Sequence, residues 1–205
     1  MINAPARLRR VGLFGGSFDP VHVAHVALAR EALEQLALDE LRWMPVGVPW
    51  QKARALAPAA HRAAMVELAM AGEPRFRLER IELDRPGPTY TVETVRALRA
   101  AEPAVEWTLV LGEDQYAGLH TWQGWQELLA GVRLAVAGRP GVGRPPHADV
   151  ARAARDAVAL PPMTVSSSDV RARLAKGLPI EGLVPDAVAR YIARHRLYLP
   201  HAATA

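Results

Sequence analysis

The chain has 205 residues, of which 50% are apolar and 22% are charged, so it is long enough and apolar enough to bury the core of a globular domain. It contains no cysteine, which excludes disulfides, thiolate catalysis and cysteine-bound zinc and agrees with a cytoplasmic location. The formal net charge is +4, no apolar run approaches the roughly 20 residues of a membrane helix, and the first ten residues lack the apolar core of a secretion signal, so we expect no membrane partner.

Strand-like and helix-like segments alternate along the first 137 residues. A short apolar run predicts a buried strand at 8–14, and an apolar stripe through Ala29 and Leu33 predicts a helix at 23–36. The same reasoning predicts, in chain order, a strand at 41–46, a helix at 59–71 that stops at Gly72, a strand at 76–83, a helix at 91–101, a strand at 106–111, a Trp-containing loop, a short helix at 125–129 and a strand at 133–137.

The last third of the chain is predicted to be loop and helix. GRPGVGRPPH at 138–147 is too rich in Pro and Gly for regular structure and predicts a surface loop. One helix is predicted from the SSSD signature to Gly177, and another has Pro185 near its first turn and carries Val188 and Ile192. The order of elements predicts an α/β fold, a doubly wound, Rossmann-like parallel sheet with C-terminal helices.

We expect residues 1–205 to form a single domain, with the Rossmann-like core at 8–160 and a C-terminal helical part at 161–200. Doubly wound sheets bind ligands at the carboxyl ends of their strands. The segment GGSFDPVHVAH, at 15–25, leaves the carboxyl end of the first predicted strand and enters the first predicted helix. Its position therefore favours a ligand site.

The GGSFDPVHVAH segment is neither a dinucleotide fingerprint nor a Walker loop, because it lacks both G-x-G-x-x-G and G-K-[ST]. Gly15 and Gly16 let backbone amides approach an anion, and a helix N-terminus follows. His22 and His25 are three residues apart, so their rings lie on one side of the helix start. Three interpretations stay open: polar residues at a helix start, a metal site without a third ligand nearby in sequence, or two donors to phosphate oxygens.

The same eleven residues closely resemble the GGSFDP-x-H-x-G-H signature of the nucleotidyltransferases, in the branch of the bacterial nicotinate-nucleotide adenylyltransferases. The resemblance continues along nearly the whole chain through PVGVPWQK (45–52), AAHRAAM (59–65), TYTVET (89–94), LGEDQYAGLHTW (111–122), GRPG (138–141), VSSSDVR (165–171) and LVPDAVARYIARHRLY (183–198). Three residues depart from the family pattern. Ala24 stands in place of the signature Gly, Gln51 in place of a common His, and Trp50 in place of a Pro.

The resemblance implies attack by the 5′-phosphate of nicotinate mononucleotide on the α-phosphate of ATP, with release of pyrophosphate and no covalent intermediate. It implies Mg²⁺ as a cofactor that accompanies ATP, with no protein side chain as its ligand. The residues implied are His22, His25 and Arg171 for catalysis, Gly15, Gly16, Ser17, Phe18, Ser166, Ser167 and Ser168 for ATP, and Lys52, Thr91, Asp114 and Trp122 for the acceptor nucleotide.

Several of these residues also have a purely structural interpretation. The three serines are typical of a helix N-cap, Thr91 of a helix cap, Asp114 of a turn and Trp122 of a core position. An alternative with the same reaction is a related adenylyltransferase that accepts nicotinamide mononucleotide or another phosphate.

The alternative from another class is a non-catalytic nucleotide or nucleic-acid binder, which a sequence pI near 9.9 suggests. The basic excess lies in residues 139–196, with ten Lys and Arg against five Asp and Glu. No basic run there is interleaved with aromatic residues, so we expect ATP and nicotinate mononucleotide as partners and no nucleic acid. The amino-acid sequence does not determine the oligomeric state.

Overall fold

The computed structural model describes residues 7–48, 56–138 and 145–199. Six parallel strands form one sheet in the order β3-β2-β1-β4-β5-β6. The strands are β1 (Arg9–Gly16), β2 (Glu40–Pro45), β3 (Phe76–Leu78), β4 (Val105–Gly112), β5 (Arg133–Ala137) and β6 (Arg155–Val158). Chain order moves outward from β1 to β3 and then returns to β4, which makes the gap between β1 and β4 the topological switch point. The predicted doubly wound sheet is confirmed.

Helices cover both faces of the sheet. They are α1 (Val23–Gln35), α2 (Ala59–Met70), α3 (Ile81–Asp84), α4 (Thr91–Ala101), α5 (Glu113–Gly118), α6 (Trp125–Gly131), α7 (Ala148–Ala151), α8 (Ser167–Ala175) and α9 (Asp186–Arg194), with a 3₁₀ turn at Leu119–Thr121. Within the described ranges, none of these helices is long and apolar enough to cross a membrane.

The central strands are apolar on both sides, because each side packs against helices. Leu13 of β1 is in register with Leu109 of β4, and both join the apolar cluster under α4 and α6. The next residue, Phe14, points to the opposite side and joins the cluster under α1 and α2. That second cluster also contains Val188 and Ile192 of α9, so the C-terminal helices share a core with the sheet.

The predicted strand at 76–83 is too long. Residues 76–78 pair with β2, but the chain then turns and residues 81–84 form α3. The Glu79 carboxylate accepts a hydrogen bond from the Ile81 amide at 3.2 Å, which caps this short helix in place of a further strand pair.

Three further elements were not predicted, namely α5, α7 and β6. Helix α5 occupies the segment expected to be a Trp-containing loop. Strand β6 pairs only with β5, and Val158 is its one buried residue, so it carries little apolar pattern. Of the loop predicted at 138–147, residues 139–144 lie outside the described residues.

Candidate active site

A cavity of about 590 Å³ opens at the carboxyl ends of β1 and β4, at the switch point of the sheet. Its walls come from the segments that follow β1, β2 and β4 and from the segment at 160–165 before α8. Eight of the predicted site residues line it: Gly15, Gly16, Ser17, His22, His25, Thr91, Asp114 and Trp122. Ala24, where the signature has Gly, lines it as well.

The two histidines form a stacked pair at the start of α1. His22 is the N-cap residue, and its ring lies 3.6 Å from the ring of His25, centroid to centroid. The His25 Nδ1 accepts a hydrogen bond from the His22 backbone amide at 3.1 Å. A neutral imidazole that accepts at Nδ1 carries its proton on Nε2, so His25 offers a single N–H donor from that atom.

His22 is buried, with 7% of its surface exposed, although its ring lines the cavity. Burial lowers the pKa of His22 from 6.5 to about 4, and the carboxylate of Asp169 acts in the opposite direction. His22 is therefore neutral at pH 7. A neutral ring suits the N-terminus of α1, where the helix dipole already supplies partial positive charge.

The loop after β1 has one part that faces the cavity and one side chain, that of Phe18, that faces the core. Gly15, Gly16 and Ser17 line the cavity, whereas the Phe18 ring is 1% exposed and packs on Phe14 at 5.4 Å. A Cβ on Gly16 would lie 2.9 Å from the Phe18 ring, so the loop needs glycine there. The Phe18 side chain thus supports the loop from the core, and a contact of Phe18 with ATP stays a prediction that concerns its backbone.

The serine-rich segment caps α8 and contacts the loop after β1. Ser166 is the N-cap and accepts a hydrogen bond from the Asp169 amide at 3.1 Å, as the structural interpretation predicts. Ser167 Oγ donates to the Pro20 carbonyl at 2.9 Å.

Arg171 contacts the same loop. It donates to the Asp19 carbonyl at 2.6 Å and to Ser168 Oγ at 3.1 Å. In the described chain, neither the three serines nor Arg171 belongs to the cavity wall. All four lie next to the loop after β1, and that loop does form part of the wall.

Three of the residues predicted for the acceptor nucleotide, Thr91, Asp114 and Trp122, line the cavity. Thr91 is the first residue of α4, after the N-cap Tyr90, and Asp114 is exposed in the first turn of α5. Trp122 is half-buried and packs partly against the core under α4. Lys52 lies outside the described residues, as do Trp50 and Gln51.

Two buried charged residues at the site were not predicted. Glu82 of α3 lines the cavity and is 3% exposed, and burial raises the pKa of its carboxyl while a hydrogen bond from Thr94 at 3.2 Å lowers it. Arg62 of α2 is 1% exposed and donates to the carbonyls of Ser17, Gly47 and Ala57 at 3.0–3.1 Å. No sequence signal marked either residue, because α2 also carries Glu67 and α3 also carries Asp84, so burial alone distinguishes Arg62 and Glu82.

The described cavity wall contains three carboxylates, those of Glu82, Glu113 and Asp114, and neither Lys nor Arg. Among the described residues, no three or more His, Cys, Asp or Glu side chains are grouped so that they could hold a metal ion. Anions at this site would therefore meet backbone amides, a helix N-terminus and neutral imidazoles first.

A Rossmann-like sheet with an anion-binding loop and paired histidines at its switch point defines a nucleotide-handling α/β protein. The cytidylyltransferase-like family matches residues 13–173. Two relatives, from Methylibium petroleiphilum and Bordetella petrii, are named "probable nicotinate-nucleotide adenylyltransferase". Each is 50% identical to this chain, over 94% and 93% of it and over 93% and 100% of their own lengths. The chain belongs to the nicotinate-nucleotide adenylyltransferases of the cytidylyltransferase-like family.

Solved structures share the fold. The Plasmodium falciparum nicotinic acid mononucleotide adenylyltransferase complexed with NaAD matches with a TM-score of 0.79 at 18% identity, over 93% of this chain and 97% of that one. The same enzyme complexed with APC matches with a TM-score of 0.77. At this identity the likeness concerns the architecture of the sheet and its helices.

Proposed function

We propose that the protein transfers the adenylyl group of ATP to nicotinate mononucleotide, which gives nicotinate adenine dinucleotide and pyrophosphate, a step of NAD biosynthesis. The observation that carries this proposal is the stacked pair of His22 and His25 on the wall of the switch-point cavity. The pair lies in a chain that is half identical to relatives named for this activity.

The histidines stabilise the charge that grows on the phosphate oxygens as the acceptor phosphate attacks. His22 is neutral, and His25 presents Nε2–H because its Nδ1 is occupied. Together with the amides near Gly15 and Gly16 and the α1 N-terminus, they form a preorganised set of donors. No covalent enzyme intermediate is needed, because the acceptor phosphate is itself the nucleophile that attacks the α-phosphate and displaces pyrophosphate.

The C-terminal part of the site is proposed to hold ATP from the other side. The proposed contacts are Ser166, Ser167 and Ser168 at the start of α8 and the guanidinium of Arg171. Arg171 is half-buried and bonded to the loop after β1, so its positive charge lies beside the proposed triphosphate position. A capped helix N-terminus with an adjacent Arg is a common arrangement for phosphate binding.

The acceptor nucleotide is proposed to occupy the wall formed by α4 and α5. Trp122 would stack on the pyridine ring, Thr91 would bind its carboxylate and Asp114 would bind ribose hydroxyls. All three line the cavity. Lys52 is proposed as a further contact to the acceptor.

Mg²⁺ is proposed as the cofactor. The proposed ion is held mainly by ATP phosphates and water, and the carboxylates of Glu82, Glu113 and Asp114 line the cavity. When bound, it neutralises charge on the pyrophosphate that leaves.

We also propose that residues 1–205 work as one cytoplasmic unit, with the sheet at 8–160 and the helices at 161–200 sharing the ATP site. The contacts of Ser167 and Arg171 with the loop after β1 support this.

The test is pyrophosphate release with ATP and Mg²⁺, with nicotinate or nicotinamide mononucleotide as acceptor. We expect the nicotinate form to be used with a much higher kcat/KM. Equal use of both mononucleotides would be consistent with adenylyl transfer but would contradict the proposed preference for the nicotinate form. No release with either acceptor, from folded protein that binds ATP, would contradict the proposed reaction.

A further inference from the structure

Asp19 is a fully buried carboxylate in the middle of the loop after β1. Its Oδ1 accepts hydrogen bonds from the Tyr198 hydroxyl at 2.7 Å and from the Ala57 amide at 3.2 Å. Its backbone carbonyl accepts from Arg171 at 2.6 Å. Asp19 therefore joins the loop that carries His22, three residues further on, to the last residues of the described chain.

The loop makes further contacts with the C-terminal part. The Pro20 carbonyl accepts from Ser167, and the Val23 amide donates to the Leu183 carbonyl at 3.0 Å. Most of these are backbone contacts, which fix the path of the chain. The contact between Tyr198 and Asp19 differs because it satisfies a fully buried carboxyl group, and a buried polar group that loses a hydrogen-bond donor is costly to keep in place.

The chemistry of Tyr198 suits a permanent donor. Its ring is half-buried, and burial followed by the hydrogen bond to Asp19 raises the pKa of its hydroxyl, so the proton stays on Tyr198 at every physiological pH. Tyr198 itself adopts a φ of +64°, a backbone conformation that is uncommon for a residue other than glycine. The chain end after α9 thus bends to bring this hydroxyl onto Asp19.

We propose that Tyr198 is a positioning residue for adenylyl transfer. Its hydroxyl, through Asp19, holds the loop at the position from which the amides near Gly16 and the ring of His22 meet ATP. The proposal rests on the proposed function for its kinetic consequence, because a shift of about 1 Å in a catalytic group can cost about 100-fold in rate. The tail of the chain would then set the geometry of the ATP site from outside the cavity.

The chain offers a matched control. Tyr191 of α9 also uses its hydroxyl to join the C-terminal part to α2, through His61 Nδ1 at 2.9 Å. That contact does not involve the loop after β1. Tyr198→Phe and Tyr191→Phe each remove one hydroxyl and keep the ring, and the melting temperatures of both variants record how far each substitution destabilises the fold.

The experiment compares the two variants with the wild type in steady-state kinetics. We expect Tyr198→Phe to lower kcat/KM for ATP roughly tenfold, the loss of one hydrogen bond to a charged group, and to leave KM for nicotinate mononucleotide within about twofold. Tyr191→Phe should leave both constants near those of the wild type. Equal kinetic effects of the two substitutions would overturn the proposal, since both would then act through stability alone.

A second variant, Asp19→Asn, completes a double-mutant cycle. If Tyr198 acts through Asp19, the double variant should be no slower than Asp19→Asn alone, whereas additive losses would contradict the coupling. Affinity for a non-hydrolysable ATP analogue, measured by calorimetry on the same proteins, separates this proposal from the proposed function. Suppose that the wild type does not use nicotinate mononucleotide. Loss of analogue affinity in Tyr198→Phe but not in Tyr191→Phe would still support the positioning role. Equal analogue affinities of the two variants would then refute it.

Discussion

At the scale of single residues, the histidine pair combines two demands that usually conflict. His22 is the N-cap residue of α1 and is buried against His25, yet its ring also lines the cavity in which we propose that ATP binds. Burial keeps the His22 ring uncharged, because desolvation penalises the imidazolium form. A neutral ring still has one N–H to donate.

Replacing either histidine should remove most of the activity. We expect His22→Asn and His25→Asn to lower kcat by about 100- to 1000-fold, the usual effect of removing one donor to transition-state charge. Asn is chosen at position 22 because it is a good N-cap residue and the site is buried. Circular dichroism checks the fold, and a folded variant with near-normal kcat would contradict the assigned role.

The lowered pKa of His22 predicts a pH dependence of stability. Between pH 6.5 and pH 4 the unfolded chain binds a proton at His22 that the folded chain does not, so this residue destabilises the fold as the pH falls through that window. The effect should reach up to about 3 kcal/mol. The measurement is the difference in unfolding free energy between wild type and His22→Asn in urea at each pH. A difference that stays constant from pH 7 to pH 4 would argue against the lowered pKa.

At the scale of elements, α8 is both a capped helix and a support of the loop after β1. Its Ser166 cap fixes the first turn, and Arg171 on the next turn donates to the Asp19 carbonyl. A helix held in this way positions its own N-terminus and the loop together. The same geometry explains why Arg171 is placed beside the cavity wall instead of on it.

This arrangement predicts different effects for two arginines of α8. Arg171→Gln should lower kcat/KM for ATP at least about tenfold, because a charge-assisted contact with the loop is lost. Arg173→Gln is the matched control, since Arg173 donates to the Pro179 carbonyl at 2.7 Å and lies away from the loop. Steady-state kinetics with ATP varied would show this, and similar losses in both variants would count against a specific role for Arg171.

The two Trp residues around α6 allow a similar comparison for the acceptor. Trp122 lines the cavity, whereas Trp125 begins α6 and packs against the core and near His147. Trp122→Leu should raise KM for nicotinate mononucleotide about tenfold by removing a stacking surface, with KM for ATP little changed. Trp125→Leu should affect stability more than KM. An unchanged acceptor KM in Trp122→Leu would rule out the proposed stacking.

At the scale of the whole molecule, two apolar cores on opposite faces of the sheet hold the six parallel strands in place. The core under α1 and α2 extends to α8 and α9, so the two parts of the chain that we propose to bind ATP are packed together. Charge has a smaller part, because the net charge is +4 and many arginines lie in surface ion pairs such as Arg96 with Glu127.

The charge distribution predicts weak interaction with nucleic acid in spite of the high pI. Fluorescence anisotropy with a labelled oligonucleotide should give no binding at physiological salt, while ATP with Mg²⁺ binds with little salt dependence. Tight oligonucleotide binding that weakens steeply as salt rises would instead favour the alternative of a nucleic-acid binder.

The sequence by itself determined the fold class, the family and the position of the site. Alternating apolar runs predict strands buried on both faces, and the loop with His22 and His25 follows the first of them. The local sequence pattern was enough for these predictions, because each prediction depends on residues that lie close together in the chain. It failed at 76–83, where pairing with a neighbouring strand decides how long a strand can be.

Only the tertiary structure decided which residues face the cavity and which support it. Phe18 turns into the core, Arg62 binds three carbonyls, and Glu82 joins the cavity wall. The contact of Tyr198 with Asp19 spans 179 residues of sequence. Such roles depend on burial and on partners far apart in the chain, and no local spacing encodes them, because a side chain's environment is set by how the elements pack.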